Sequence, residues 1–221
     1  MLRIAIADDH ALFRKSLKLL IGSFENMEIV AGASNGIELL EKLQTVTADI
    51  LLLDLQMPEM DGFETCNKIN ELYPDMKILV LTLISEEDTI RKIMDMGVNG
   101  YFTKNTDPHE LEKAIWKLQD NGFYFEKNLT AVIENILNNH ITITEEPVSI
   151  TDREMEIILL AVKEFSGKEI ADQLGISLKT VEVHKRNLME KTHAKNFIGV
   201  IMYALSNQLI SINETKNKMP D

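Results

Sequence analysis

Five polar residues stand where short apolar runs end: Asp8 and Asp9 after LRIAIA, Asp54 after ILLL, Thr82 closing ILVLT, and Lys104 after GYFT. Each run reads as a buried strand, which places all five at strand ends. Three carboxylates at close range repel and raise one another's pKa unless a cation joins them, and an all-oxygen cluster suits a hard ion such as Mg2+. With such an ion, an aspartate nucleophile, an ammonium and a hydroxyl donor can accept a phosphoryl group. The metal and Lys104 neutralise charge on its oxygens while Asp54 attacks in line. Taken singly, each residue has a plainer reading: Asp54 caps the following turn, Asp8 or Asp9 caps a helix beginning near Ala11, Lys104 is a solvated lysine, and Thr82 an ordinary strand residue. The plain readings do not explain why all five share strand ends.

Bringing them together takes a parallel sheet. Residues 2–7, 29–33, 50–53, 78–83 and 98–102 are the strand candidates, and residues 11–21, 36–43, 63–72, 88–96 and 108–118 space their apolar residues three and four apart, as helices with one buried face do. Alternating strand and helix implies a parallel sheet covered on both faces. In the doubly wound order 2-1-3-4-5, the strands ending in Asp8–Asp9 and in Asp54 are neighbours, and ligands sit outside their carboxyl ends. The stretch ILLLDLQMPEMDG, residues 50 to 62, is the centre of this half.

Length and charge set the wider frame. A chain of 221 residues is comfortable for two small domains. No apolar stretch approaches the roughly 20 residues of a membrane span, and the N-terminus MLRIAIADDH reaches a carboxylate pair too early for a secretory signal. A single cysteine, Cys66, excludes an internal disulfide framework, fits a reducing cytoplasm and reads as a structural helix residue. The formal net charge of −12 is uneven: residues 1–130 hold 13 Lys+Arg against 22 Asp+Glu, whereas residues 147–221 hold 10 of each. Within the balanced part, residues 177–195 carry Lys179, Lys185, Arg186, Lys191 and Lys195 against Glu182 and Glu190. That is a basic patch in an acidic protein.

The patch lies in an all-helical second half. Residues 129–137 read as an amphipathic helix and residues 138–149, NNHITITEEPVS, as a polar tether in which His140 has no ligand companion. Beyond it, Thr151 with Glu154 at capping-box spacing starts a helix over 152–162, a short helix runs over 167–174, Gly175 makes a turn, and Ser177 caps a helix over 178–191. Two helices across a tight turn, the second basic, form the pattern of a helix-turn-helix. In the second helix Val181 and Leu188 pack inward, with His184 or Lys185 near the rim. Lys179, Glu182, Val183, Arg186 and Glu190 form the outward stripe. An outward Val among Lys and Arg suits a major groove, where a methyl meets thymine and Arg reaches guanine; the alternative is a merely solvated charged face.

Through IADDH, LLLDLQMPEMDG, LVLT and GYFTK, residues 1 to about 122 resemble the receiver domain of two-component response regulators. Through ITDREMEIILL, GKEIADQLGISLKTVEVHKRNLMEK and FIGVIMYALSNQLI, residues 150 to 210 resemble the LuxR-type helix-turn-helix. Together they give the architecture of the NarL/FixJ class: an α/β receiver with a flavodoxin-like five-stranded parallel sheet, plus an all-α DNA-binding domain. The divisions expected are 1–122 receiver, 123–149 linker helix and tether, 150–212 helix-turn-helix and 213–221 tail. The resemblance implies that Asp54 is the phosphoacceptor, that Asp9, Asp54 and the Gln56 carbonyl bind Mg2+ directly with Asp8 acting through water, that Lys104 contacts the phosphoryl group, and that Thr82 and Tyr101 rearrange in response. Pro58 and Gly62 match the family's turn. Val183 and Arg186 are the implied base readers, with Lys179, Thr180 and His184 nearer phosphates, and residues 197–209 resemble a dimerisation helix or, as bare sequence, complete the domain core.

Two departures carry expectations of their own. Leu83 follows Thr82 where many receivers have a smaller residue, which would narrow access to the phosphoryl group. Glu182 stands where relatives carry a basic residue, so operator preference does not transfer. The implied partners are a histidine kinase and double-stranded DNA with a near-palindromic operator, bound by a homodimer of the phosphorylated protein; no membrane is implied. The implied function is phosphorylation-dependent transcription regulation in the cytoplasm, without enzymatic turnover beyond the receiver's own phosphorylation and dephosphorylation. A regulator that works unphosphorylated, with its receiver as an interaction module, is the alternative.

Overall fold

The computed structural model describes residues 1–83, 89–90, 92–93, 96–105, 107–125, 148–163 and 165–210. The expected helix over 129–137, residues 138–147 of the tether with His140, and residues 211–221, which include the expected tail over 213–221, lie outside the described residues, as does part of the expected helix over 88–96. The chain divides into two compact units: Met1–Gln119 with Tyr124–Phe125, and Asp120–Phe123 with the helices beyond residue 148.

The first unit is built on a parallel sheet of β1 (Leu2–Ala7), β2 (Met27–Ala33), β3 (Ile50–Asp54), β4 (Lys77–Thr82), β5 (Gly100–Thr103) and β6 (Tyr124–Phe125), in the order β2-β1-β3-β4-β5-β6. Its first five strands have the order the sequence implies. The sixth lies beyond the five strand candidates of the sequence. Gly122, at φ +82, reverses the chain after the preceding helix, and the Tyr124 N–H donates to the Asn99 carbonyl at 2.9 Å, so two residues extend the ladder beside β5. All five residues of β3 are buried, as a central strand covered on both faces requires. Helices α1 (Ala11–Ile21), α2 (Gly36–Leu43), α3 (Gly62–Leu72) and α4 (Pro108–Asn121) cover the sheet. Leu17 and Ile21 of α1, and Leu111, Ile115 and Leu118 of α4, share one core with Ile4, Ile6, Leu52 and Leu79.

The second unit holds α5 (Asp152–Val162), α6 (Gly167–Leu174), α7 (Leu178–Thr192) and α8 (Phe197–Ser206). Complete capping boxes start α5 (Thr151 with Glu154) and α6 (Ser166 with Glu169), satisfying orphan N–H groups at both starts. Gly175 closes α6 in the left-handed conformation at φ 63, which a residue without Cβ adopts freely, and Ser177 then caps α7 two residues later. Ile157, Ile158, Ile170, Val181, Leu188, Phe197 and Val200 fill the core between the four helices.

Candidate functional site

Parallel strands all end on the same edge, so the sheet alone carries the sequence-selected residues to one place. Asp8 and Asp9 follow β1, Asp54 closes β3, Thr82 closes β4, and Lys104 follows β5, with its N–H on the Thr82 carbonyl at 3.0 Å. Asp8, Asp54 and Thr82 are buried, whereas Asp9 is exposed. The Lys104 ammonium lies 2.5 Å from Asp54 Oδ2 and 2.7 Å from Asp8 Oδ2, and 4.9 Å from the centre of the Phe13 ring. The contact to Asp8 is an ion pair without hydrogen-bond geometry, since Asp8 Oδ2 is buried with no hydrogen-bond partner.

Burial pushes the Asp54 carboxyl above the usual carboxylate range, against the opposing pull of Lys104. Asp54 Oδ1 also accepts from the Gln56 N–H at 3.3 Å, so its turn role and its place in the cluster coexist. The helix-cap reading of Asp8 and Asp9 does not hold. His10 is the N-cap of α1 and makes no side-chain cap bond, while Asp8 Oδ1 accepts from the His10 N–H at 2.8 Å, within the turn before the helix.

Asp8, Asp9, His10 and Asp54 each place one ligand atom within 4.8 Å of the others. Three carboxylates, one with a buried oxygen left without a hydrogen bond, form a donor set that fits a hard divalent cation. His10 was missed in the sequence; its Nδ1 is 2.8 Å from Asp9 Oδ1. So was Arg14, whose guanidinium donates to the Asp8 carbonyl. Both sit within the DDH-to-helix segment, where i+4 spacing from His10 to Arg14 was the available signal.

Two turn residues shape this edge. A Cβ on Gly62 would lie 2.2 Å from the Asp54 carbonyl oxygen and 2.5 Å from Leu55 Cα, so the start of α3 presses on the end of β3 as only glycine allows. Before it, Glu59 takes a left-handed φ of 65 in the turn after Pro58. Tyr101 is buried within β5. Leu83 lies beyond β4, not in it, and is 64% exposed: its side chain faces solvent, contrary to the expected continuation of the strand.

On α7, Val181 and Leu188 are fully buried, and Lys179, Glu182, Arg186 and Glu190 are exposed, with Thr180, Val183 and His184 between these extremes. The expected two faces are therefore present. Lys185 departs from its expected place near the rim. It is 6% exposed, with its ammonium 5.4 Å from the Phe197 ring centre and 3.6 Å from Glu182 Oε1, and burial pushes its pKa down. A long apolar stem and an aromatic cover make a buried lysine tolerable where its charge retains a partner. The other end of α7 is tied by Lys191, whose Nζ lies 2.7 Å from the buried Glu154. One face of α8 enters the core through Phe197, Ile198, Val200 and Ala204, which answers to the core-completing reading of that segment. Among the described residues, no helix is long and apolar enough to cross a membrane.

Residues 4–116 match the model of the response regulator receiver domain, and residues 148–204 that of the bacterial regulatory proteins of the luxR family. The oxygen regulatory protein NreC of Staphylococcus epidermidis is 34% identical over 216 residues, an alignment covering 95% of this chain and 99% of that protein. NreC of Staphylococcus carnosus is 34% identical over 215 residues with the same coverage, 95% and 99%. Among solved structures, the RcsB response regulator of Salmonella typhimurium matches with a TM-score of 0.58 at 26% identity, covering 91% of this chain and 97% of that one. RcsB from Salmonella enterica serovar Typhimurium, bound to a promoter in the presence of a phosphomimetic, matches with a TM-score of 0.58 at 25% identity, covering 93% and 98%.

Proposed function

As the chain belongs to the response regulators, joining a receiver domain to a luxR-type regulatory domain, we propose that it is a DNA-binding transcription regulator controlled by phosphorylation of Asp54. The observation that carries this reading is the pairing of Lys104 with both Asp54 and Asp8 at the carboxyl edge of the sheet. In this reading residues 1–122 form the receiver, 123–149 a linker, 150–212 the helix-turn-helix and 213–221 a tail.

An Asp54 carboxylate oxygen attacks the phosphorus of a phosphohistidine on a partner kinase. The P–N bond breaks, its electron pair stays on the imidazole, and an acyl phosphate forms on Asp54. Asp54 is stripped of water by burial, which leaves its carboxylate a stronger nucleophile than a solvated one. The Lys104 ammonium sits beside the attacking group and neutralises the oxygens that arrive there. Asp8, Asp9, Asp54 and the Gln56 carbonyl would hold Mg2+, which when bound supplies further positive charge to those oxygens. Thr82 and Tyr101 then repack around the new group. The only chemistry is the receiver's own phosphorylation and dephosphorylation.

Phosphorylation adds negative charge to a half that is already acidic, so it does not favour DNA by attraction. It acts by geometry, releasing or dimerising the helix-turn-helix so that two copies of α7 meet two half-sites of a near-palindromic operator. Val183 and Arg186 read bases, Lys179, Thr180 and His184 lie nearer phosphates, and Glu182 sets a preference of its own.

Intact mass after incubation with Mg2+ and acetyl phosphate, for wild type and Asp54→Asn, tests the acceptor. Size exclusion and DNA binding on the same samples test the switch. One added phosphoryl group on wild type alone, with dimer formation and tighter DNA binding, is expected. A labelled protein unchanged in both assembly and DNA affinity would overturn the switch.

A further inference from the structure

Beside the acid cluster, at the β2 edge of the sheet, lies a cleft of about 400 Å3 lined by Arg14, Lys15 and Lys18 of α1, Lys42 of α2 and the apolar surface of Ile6, Ile29 and Ala31. Four cations line it and no carboxylate does. This is the reverse of the half in which it sits, where acids outnumber bases 22 to 13.

The bland reading is a solvated helix face, and three observations weigh against it. Helix α1 (ALFRKSLKLLI) contains no acidic residue, so Arg14, Lys15 and Lys18 meet at one-, three- and four-residue spacing without the i,i+4 carboxylate that would relieve their repulsion. The three α1 cations line one space with Lys42 of α2 at its rim. The sheet itself is altered there: the β1–β2 register shifts between Ile4 and Ala5, leaving Val30 as an extra residue in β2, and Val30 lines the cleft. Bulges re-aim side chains and are over-represented at sheet edges and beside active sites.

The charge balance defines the ligand. Lys42 is already neutralised by Glu38 at 2.6 Å, and that carboxyl is held down to about 2 by Lys42 and Ser34. Among the described residues, the Arg14 guanidinium donates only to the neutral Asp8 carbonyl. Among the described residues, the Lys15 and Lys18 ammonium groups have neither a hydrogen bond nor an ion pair. Three uncompensated cations above an apolar floor match a phosphomonoester, which carries roughly −1.5 to −2 charge at neutral pH, attached to an apolar body.

We infer that the α1–β2 cleft binds a small phosphomonoester, seated through Arg14, Lys15 and Lys18 with its body on Ile29, Val30 and Ala31. A free metabolite and a lipid headgroup share this chemistry.

Isothermal titration of the full chain with adenosine 5′-monophosphate, in Mg2+-free buffer, tests the site. Sedimentation with vesicles containing phosphatidic acid runs in parallel. Lys15 and Lys18 are exposed, and replacing both by alanine favours the helix, so Lys15→Ala/Lys18→Ala folds. Saturable binding of either probe is expected, weakened at least about tenfold in that double variant. Asp54→Asn and Lys179→Ala/Arg186→Ala, which remove the acid cluster's nucleophile and the basic face of α7, retain it. Binding of the nucleotide assigns the source to a free molecule; binding of vesicles alone assigns it to a headgroup. No binding of either probe, or binding undiminished by Lys15→Ala/Lys18→Ala, overturns the proposal.

Discussion

Lys104 and Asp54 stand 2.5 Å apart at the carboxyl edge of the sheet, and the same ammonium reaches Asp8 at 2.7 Å, with only 9% of the lysine side chain exposed. One cation thus separates two buried carboxylates. Lys104→Met removes it and leaves like charges facing each other, a loss of about 3–5 kcal/mol for a broken buried pair. Urea unfolding without divalent metal should show it. Added Mg2+ should restore more stability to Lys104→Met than to wild type, because in the variant a bound cation replaces the lost counter-charge. Equal Mg2+ responses in the two proteins would contradict the shared site.

Asp54 works against the fold at neutral pH. Its folded-state pKa lies above the unfolded value because burial penalises the carboxylate. Its contribution is therefore fully present below the unfolded pKa and is lost as pH rises through the folded one. Asp54→Asn escapes that loss while Lys104 keeps Asp8, so the variant should be more stable than wild type at pH 7. The advantage should shrink as pH falls toward the ordinary carboxylate range. Thermal unfolding of both proteins between pH 4 and about 8 checks the sign.

These two residues were legible because strand ends are legible. Aliphatic runs such as ILLL and LRIAIA have one interpretation, and α1 and α2 fall at the boundaries that their periodicity implies. What remained hidden depends on contacts between segments distant in sequence. The strand β6 exists because Tyr124 finds the Asn99 carbonyl, a partner 25 residues away that no local pattern announces. Lys185 read as a rim residue because lysine usually is one. Its burial follows from Phe197 covering it, which depends on how α8 packs. Gly62 matched a turn, but its reason is the approach of α3 to the Asp54 carbonyl, a distance rather than a backbone angle.

That approach is testable. Gly62→Ala puts a methyl 2.2 Å from a backbone oxygen, where no side-chain rotation relieves it. Backbone must shift at Asp54, the proposed phosphoacceptor. A loss of about 1–3 kcal/mol is expected, together with slower acetyl-phosphate labelling of Asp54. Unfolding and labelling measured on one preparation separate the two effects.

Glu154 joins the start of α5 to the end of α7. Its carboxylate accepts from the Thr151 N–H at 2.9 Å and pairs with Lys191 at 2.7 Å. Burial raises its pKa, but Lys191 and Thr151 together outweigh burial and hold it below the usual range. Stability from this group is present above the unfolded pKa and lost as pH falls through the folded one. Glu154→Gln should cost about 2 kcal/mol at pH 7 and progressively less in acid. Because the pair fixes α7, hydrogen exchange in that helix should accelerate in the variant. Unchanged exchange would make the pair a local cap only.

If α7 enters DNA as proposed, its exposed stripe should make two kinds of contact that a salt titration distinguishes. Lys179 is exposed in the first turn and suits a phosphate, so Lys179→Ala should weaken all operators alike and lower the salt slope by about 1. Arg186, one turn beyond Glu182 on the same face, suits a guanine edge, so Arg186→Ala should cost about 1–3 kcal/mol on the preferred operator and relax selection at one position. In a DNA groove the Glu182 carboxylate would repel phosphate and accept from a base amino group. Glu182→Lys should therefore raise affinity for unrelated DNA while narrowing the gap to the preferred site. Binding of a randomised operator pool by all three variants gives these outcomes together. A Glu182→Lys protein that keeps the wild-type preference would place the carboxylate outside the groove and leave its contact with Lys185 as its role.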